Sequence, residues 1–474
     1  MLNMLLLAAV FAAGLACAAA PEPLLPVPTR QQLEWQRGEL TLFVHFTVNT
    51  FTDREWGEGK EDPRIFNPVA LDAGQWARAA KAGGFKLMIL TAKHHDGFCL
   101  WPSALTEHCV KSSPWRDGKG DVVREFVDAA RKEGLKVGLY LSPWDRHEKT
   151  YGDSPKYNEH YKNQLTELLT NYGPIAEVWF DGACGEGPNG KRQVYDWDGF
   201  RATVRKLQPD ALMFSDAGPD IRWIGNEQGT AGDPCRSPVD PAKVTFPGQS
   251  GKDVIQSLQH GDANGTLWRP GECDVSIRPG WFWHKKEDGK VRSAENLVDL
   301  YFRSVGRNSL LLLNVPPNDK GLFCDLDVQR LAEFRARLDA IFKTDLAASR
   351  SATASNTRGN DAAFGPGKAL DGNPDTYWAT DDNARDGWLE VDLGQPTKFN
   401  LSCVQEAIAL GQRIEAYGIE YWDGNAWQPA AKGTTVGYKK LDRFNAVTAQ
   451  RVRLAIGKAR ACLAVQTFAL YLAE

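Results

Sequence analysis

Between Leu40 and about Phe342, short apolar runs rich in β-formers alternate with stretches of helical period, and this alternation constrains the fold more than any other feature. The strand candidates are Leu40–Phe46, Phe85–Thr91, Lys136–Ser142, Ala176–Phe180, Leu212–Ser215, Arg222–Gly225, Asp274–Ile277 and Leu310–Asn314. Helical stretches at Asp121–Glu133, Asn158–Asn171, Trp197–Gln208, Ser293–Val305 and Asp327–Phe342 follow several of them. In the first of these, Asp121 is placed to cap the helix. Val122, Val123, Phe126 and Ala130 make one apolar face, and Gly134 stops it. Strands alternating with helices in this number predict a (β/α)8-like barrel. The fifth and sixth candidates lie so close together that the helix between them is expected to be missing or degenerate. From Thr344 to Ser355 the composition turns small and polar, which reads as a linker. After it, Trp388–Leu393, Gly418–Trp422, Val452–Ala455 and Thr467–Tyr471 are strand runs between turn signals, so the remainder is expected to be an all-β sandwich.

The rest of the composition narrows the function. With 42% hydrophobic and 24% charged residues, the 474-residue chain is neither disordered, nor a coiled coil, nor a multi-span membrane protein. A net charge of -4 gives no basic field for nucleic acid. Residues 1–20 are a short apolar run ending in small residues, which fits a secretory leader and predicts a periplasmic or extracellular protein. Cys17 offers a site for bacterial lipoprotein processing, although Gly14 stands where a lipobox wants Leu. No later segment is apolar enough to span a membrane. The eight cysteines after Cys17 show no C-x-x-C pair, and buried free thiols are as good a reading as disulfides. The 16 tryptophans suit large cores, and also sugar-binding clefts.

Barrel active sites gather at the carboxyl ends of the strands. Those ends carry His45, then His94, His95 and Asp96, then Asp145, Asp181, Asp216, Glu227, Arg278 with Trp281, and Asn314. No glycine-rich phosphate loop is among them. Neighbours on an extended strand point to opposite faces, so His94 and His95 are not expected to share a metal ion, and no catalytic metal is expected. Asp181 ends the strand Glu177-Val178-Trp179-Phe180, where packing explains a carboxylate poorly; an Asp-Gly turn is the plain alternative. Glu227 follows a second strand-like run. One carboxylate to attack and one acid to protonate the leaving oxygen are what glycoside hydrolysis requires. The G-x-S-x-G nucleophile elbow is absent, which disfavours an α/β-hydrolase.

At these residues, from about Leu33 to Phe342, the chain resembles the α-L-fucosidases of glycoside hydrolase family 29. The carriers are Phe43-Val44-His45-Phe46, Glu55-Trp56-Gly57, Ala92-Lys93-His94-His95-Asp96-Gly97-Phe98, Leu139-Tyr140-Leu141-Ser142-Pro143-Trp144-Asp145, Val178-Trp179-Phe180-Asp181-Gly182 and Leu311-Leu312-Leu313-Asn314-Val315-Pro316-Pro317. The family is retaining, so the resemblance implies Asp181 as nucleophile and His45, Glu55, Trp56, His94, His95 and Tyr140 as fucose-pocket residues. The segments Arg222-Trp223-Ile224-Gly225-Asn226-Glu227 and Ser276-Ile277-Arg278-Pro279-Gly280-Trp281-Phe282-Trp283-His284 resemble the subgroup that cleaves α-1,3 and α-1,4 fucosyl linkages of Lewis-type glycans. That subgroup implies Glu227 as acid/base and Arg278 and Trp281 as sugar contacts.

Beyond the linker, Ala369-Leu370-Asp371-Gly372-Asn373-Pro374-Asp375-Thr376-Tyr377-Trp378 and Trp388-Leu389-Glu390-Val391-Asp392-Leu393-Gly394 resemble the discoidin, or coagulation-factor type C, module, a jelly-roll sandwich. That module often binds carbohydrate and often holds a structural calcium near this turn, which offers Asp371 and Asp375 as oxygen ligands. The expected organisation is a leader at 1–20, a catalytic barrel at 21–345 and the sandwich at 346–474. Two other classes are open. An inactive glycan-binding protein should lack one carboxylate, and a different retaining glycosidase such as a galactosidase should lack the paired histidines. Since every candidate catalytic residue precedes the linker, a truncation near Asp345 is expected to keep turnover.

Overall fold

The computed structural model describes residues 18–473, so the apolar leader run and Cys17 lie outside the described residues. Eight strands build the barrel: β1 (Leu40–Val44), β2 (Leu87–Lys93), β3 (Lys136–Leu141), β4 (Glu177–Trp179), β5 (Leu212–Phe214), β6 (Arg222–Trp223), β7 (Gly271–Ser276) and β8 (Ser309–Asn314). All pairings are parallel, in the order β5-β4-β3-β2-β1-β8-β7-β6. Only residues 215–221 join β5 to β6, with no helix between them. The two edges meet there through a single bridge, Phe214 with Ile221, which nearly closes the barrel.

The strands read as almost continuous apolar runs because both of their faces are buried. Leu87 and Ile89 of β2 pack inward with Phe43, Trp179 and Phe214, while Met88 and Leu90 pack outward under the helices. Trp35, on the helix Arg30–Gly38, plugs the amino-terminal end and donates its indole N–H to Glu177 Oε2 at 2.8 Å. The helix Val122–Lys132 forms as its sequence dictates: Asp121 accepts from Arg124 N at 2.8 Å, and Val122, Val123, Phe126, Val127 and Ala130 are buried. Gly134 follows at φ +76°, a conformation that favours glycine. Helices Ala73–Ala82 and Lys252–His260 were not anticipated. The first buries mostly alanines around Trp76, so its apolar face has little contrast with the rest of the helix.

The expected linker is not a free tether. Ser351–Ala354 is a strand, β9, antiparallel to the start of β11 (Gly387–Glu406), and Leu346 N donates to Leu470 O at 2.9 Å. The second unit also contains β10 (Trp378–Ala379), β12 (Ile414–Trp422), β13 (Trp427–Gly433), β14 (Lys440–Ala459) and β15 (Ala464–Tyr471). The two 20-residue strands β11 and β14 pair with each other through register shifts. One half of β11 carries β9 and the other carries β15, so the long strands serve both layers. The eight described cysteines are all free thiols, most of them buried.

The two units share an interface that is partly core. Leu401, Cys403, Leu441 and Ala469 of the sandwich are contiguous with the barrel's apolar cluster. At its edge, the half-buried Glu39 accepts from Tyr301 Oη at 2.6 Å and Tyr438 Oη at 2.8 Å, and it pairs with Lys439.

Candidate active site

A cavity of about 290 Å³ opens at the carboxyl ends of the strands. Asp181, two residues beyond the end of β4, contributes a carboxylate with a donor on each oxygen. Tyr140 Oη donates to its Oδ2 at 2.9 Å, and Ala183 N donates to its Oδ1 at 2.7 Å. Each oxygen therefore has a fixed donor, while about a quarter of the side chain remains open to the cavity. The glycine after it answers a close approach. A Cβ at Gly182 would fall 2.5 Å from Gly248 N, and one at Gly248, at φ +82°, would fall 2.3 Å from Gly182 O. The second loop can reach the strand end only as bare backbone, and Gly248 N then donates to Asp216 Oδ2 at 2.9 Å. Asp216 lines the same cavity; burial, reinforced by the charge of Asp181, raises its pKa to about 6.

The histidines face this carboxylate from β1 and β2. His94 and His95 lie in the turn beyond β2, so strand alternation does not separate them. Their rings line one cavity with centroids 4.1 Å apart, which corrects the expectation of opposite faces. Burial lowers the pKa of both, so both are neutral. Ser142 Oγ donates to Trp144 O and must therefore accept from His95 Nδ1, both at 2.7 Å. The free Nε2 of His95 is left as an acceptor 3.8 Å from Asp181 Oδ2. Two acceptors facing one gap suit a donor such as a sugar hydroxyl.

His45 is fixed the same way. Asn314 gives its amide N–H groups to Ser276 Oγ at 2.9 Å and Trp281 O at 2.8 Å, so its Oδ1 accepts from His45 Nδ1 at 2.8 Å. Nε2 of His45 then carries its lone pair. Burial, only partly offset by the Asn314 bond, lowers the His45 pKa to about 3.

Glu227, exposed and lining the same cavity, accepts from Trp281 Nε1 at 3.1 Å. Glu55 lines the cavity and also secures the loop that holds Trp281. It accepts from Trp281 N at 2.8 Å and Phe282 N at 3.1 Å, and it meets His284 Nε2 at 2.6 Å. Burial opposes charge on His284, but its bonds to Asp53 and Glu55 raise its pKa. Trp56 stands 59% exposed, packed T-shaped against His95 and Trp144, and lines the cavity.

Two groups of expected residues lie elsewhere. Arg278, expected against sugar, is buried away from the cavity. It donates to Asp327 at 2.9 Å and Asp288 at 3.0 Å, because a guanidinium taken out of water needs carboxylate partners. Asp96 and Asp145 also lie behind the wall, where Asp145 pairs with Lys93 at 2.8 Å. In the sandwich, Asp375 is held by Arg37 at 3.0 Å, while Asp371 accepts from Asn373 N and Thr376 Oγ1, both at 2.9 Å. Among the described residues no cluster of three or more His, Cys, Asp or Glu side chains is disposed to hold a metal. Sequence reasoning did not single out Phe43, Trp179, Phe214, Trp223 and Asp274, which also line the cavity. Four of these are aromatic residues within strands, indistinguishable by type from core.

Residues 27–340 match the Alpha-L-fucosidase family model, and residues 351–466 match the F5/8 type C domain model. The chain belongs to the alpha-L-fucosidase family. "Alpha-L-fucosidase 1" of Arabidopsis thaliana is 48% identical to this fucosidase over 456 residues, covering 95% of this chain and 88% of the relative. The crystal structure of SpGH29 superimposes with a TM-score of 0.89 at 43% identity, covering 96% of this chain and 100% of that one. A Ruminococcus gnavus GH29 fucosidase solved in complex with fucose does so with a TM-score of 0.89 at 37% identity, covering 96% and 97%. The enzyme is therefore a glycoside hydrolase acting on α-L-fucosides.

Proposed function

We propose that this fucosidase is a retaining exo-glycosidase that releases L-fucose from α-1,3- and α-1,4-linked Lewis-type glycans. The observation that carries the reading is the setting of Asp181. Both of its oxygens are held by donors, the neutral His95 stands beside it, and Glu227 lines the same cavity. In the first step Asp181 attacks the anomeric carbon as the bond to the glycosidic oxygen breaks, and Glu227 gives its proton to that oxygen. In the second, Glu227 takes a proton from water. The water oxygen then displaces the Asp181 carboxylate and frees L-fucose with its α configuration retained. Neither step draws on a metal or cofactor. His45, His94 and His95 bind the fucose hydroxyls, and Trp56 and Trp281 take the sugar faces. The linkage preference rests on the subgroup motifs around Glu227 and Trp281. The leader-like first 20 residues support export, which would bring the enzyme to extracellular glycans.

Two measurements test this reading. Proton NMR of the first product should show the retained anomer, and the inverted anomer would overturn the mechanism. Glu227→Ala should lower kcat/KM on a Lewis trisaccharide by roughly 10²–10⁴-fold while sparing the first step, transfer of fucose to Asp181, from an activated aryl fucoside, whose leaving group needs little protonation. Equal losses on both substrates would remove Glu227 from the acid/base role.

A further inference from the structure

Strand β7 presents polar residues to the barrel interior at every second position, Glu272, Asp274 and Ser276. Each takes a side-chain hydrogen bond, and for Glu272 and Asp274 the donor lines the cavity. Trp179 Nε1 donates to Glu272 at 2.9 Å, Trp223 Nε1 to Asp274 at 2.8 Å, and Asn314 Nδ2 to Ser276 at 2.9 Å. Asp274 differs from the other two because it bonds the loop on both sides of Glu227. Its carboxyl takes the Trp223 indole N–H, and its backbone carbonyl takes Gly229 N at 3.1 Å. Asp274 and Trp223 both line the cavity beside Glu227.

We propose that Asp274 is a positioning residue that clamps residues 223–229 and so fixes Glu227 against the glycosidic oxygen. The inference rests on the reading of Glu227 as the acid/base. Burial, and next the charge of Glu227, push the Asp274 pKa well above the ordinary carboxyl range. The group therefore holds the indole without adding a full negative charge to a pocket that already contains Asp181 and Glu227. A neutral amide of the same shape should do the same work.

The test compares Asp274→Asn, Asp274→Ala and Trp223→Phe on a Lewis trisaccharide and on an activated aryl fucoside. Asp274→Asn keeps an acceptor for the indole and should stay within about threefold of the parent on both substrates. Asp274→Ala and Trp223→Phe should each lose roughly 10- to 100-fold in kcat/KM on the trisaccharide and much less on the aryl fucoside, since only the first needs a well-placed acid. Combining the two should cost little more than either alone. Melting curves for all three variants separate misfolding from mispositioning. Equal losses on both substrates from a folded Asp274→Ala would overturn the proposal. So would an Asp274→Asn variant as impaired as Asp274→Ala, which would place the ionisable group itself in the chemistry. Glu227→Ala, assayed alongside, separates the two failures. If it shows the leaving-group dependence and Asp274→Ala does not, only the clamp is wrong; if neither shows it, the acid/base assignment has failed.

Discussion

Asp96 shows how the wall behind the pocket is organised and what it costs. It is fully buried and accepts from Phe98 N at 2.7 Å and Thr47 Oγ1 at 2.9 Å, which fixes the turn that aims His94 and His95. Burial dominates its titration. Those two bonds favour the ionised form, but Glu61 and Asp145 oppose it, and the pKa stands at about 7. A carboxyl whose folded pKa is raised binds its proton more tightly folded than unfolded. Its contribution to stability is full below the ordinary value near 3.9, falls as pH rises between the two, and is constant again above the folded pKa. Asp96→Asn removes this slope. Its stability relative to the parent should therefore rise by about 2–3 kcal/mol between pH 5 and pH 7 in denaturant titrations, at ~1.4 kcal/mol per unit. Parallel pH curves for the two proteins would show that Asp96 does not carry the proton. At this scale the sequence was informative where chemistry contradicts packing. A carboxylate at an apolar strand end and three histidines on one rim stood out, and all line the cavity. Trp223 and Asp274 did not, because a partner 51 residues away in the chain gives no local signal. Arg278 misled for the converse reason: the motif it sits in implies a sugar contact, and nothing local in the chain reveals its partner Asp327.

Among the elements, the strands were legible because a strand buried on both faces has no amphipathic pattern to misread. The missing helix between β5 and β6 was legible from spacing alone. Helices were found where cap and stop residues bracketed a strong apolar face, as in Val122–Lys132, and missed where the face was alanine-rich, as in Ala73–Ala82. The supposed linker failed for a different reason. Ser351–Ala354 is small and polar, yet its backbone pairs with residues 389–392 at the sheet edge, and edge pairing asks little of the side chains. Asp121 offers a clean test at this scale. It caps its helix through Arg124 N, and it also accepts from Tyr172 Oη at 2.8 Å. Asp121→Ala should cost about 1–2 kcal/mol, with kcat/KM unchanged, because the capped end lies away from the cavity lining. A loss of activity at full stability would contradict that separation.

For the whole molecule, the division between chemistry and appended module depends on the interface. All the cavity-lining residues come from the barrel unit, so the sandwich supplies no group to the reaction. The sandwich buries a core of its own, around Trp378, Leu389, Phe399, Ile419 and Phe468, but the barrel's core is not closed without it. Leu401, Cys403, Leu441 and Ala469 complete the barrel's apolar cluster, and Glu39 gathers Tyr301 from one unit with Tyr438 and Lys439 from the other. The expectation that a truncation near Asp345 keeps turnover therefore meets a physical obstacle. Removing the sandwich exposes apolar surface that nothing else covers, and it strips Glu39 of two of its three partners. The truncated barrel should aggregate on expression, as size-exclusion chromatography would show. Glu39→Gln in the full chain asks the same question without cutting it. The half-buried Lys439 ammonium would lose its counter-charge, at a cost of roughly 1–3 kcal/mol, below that of a fully buried pair. The two units should then unfold in separate calorimetric transitions, with the sandwich loosened from the barrel. Turnover of a small aryl fucoside below the first transition should be unchanged, since Glu39 lies at the opposite end of β1 from His45. A single transition at the parent temperature would show that the apolar contacts alone bind the units and that the charged hub is dispensable. A soluble, monomeric and active truncation would restore the simpler division that the linker composition implies.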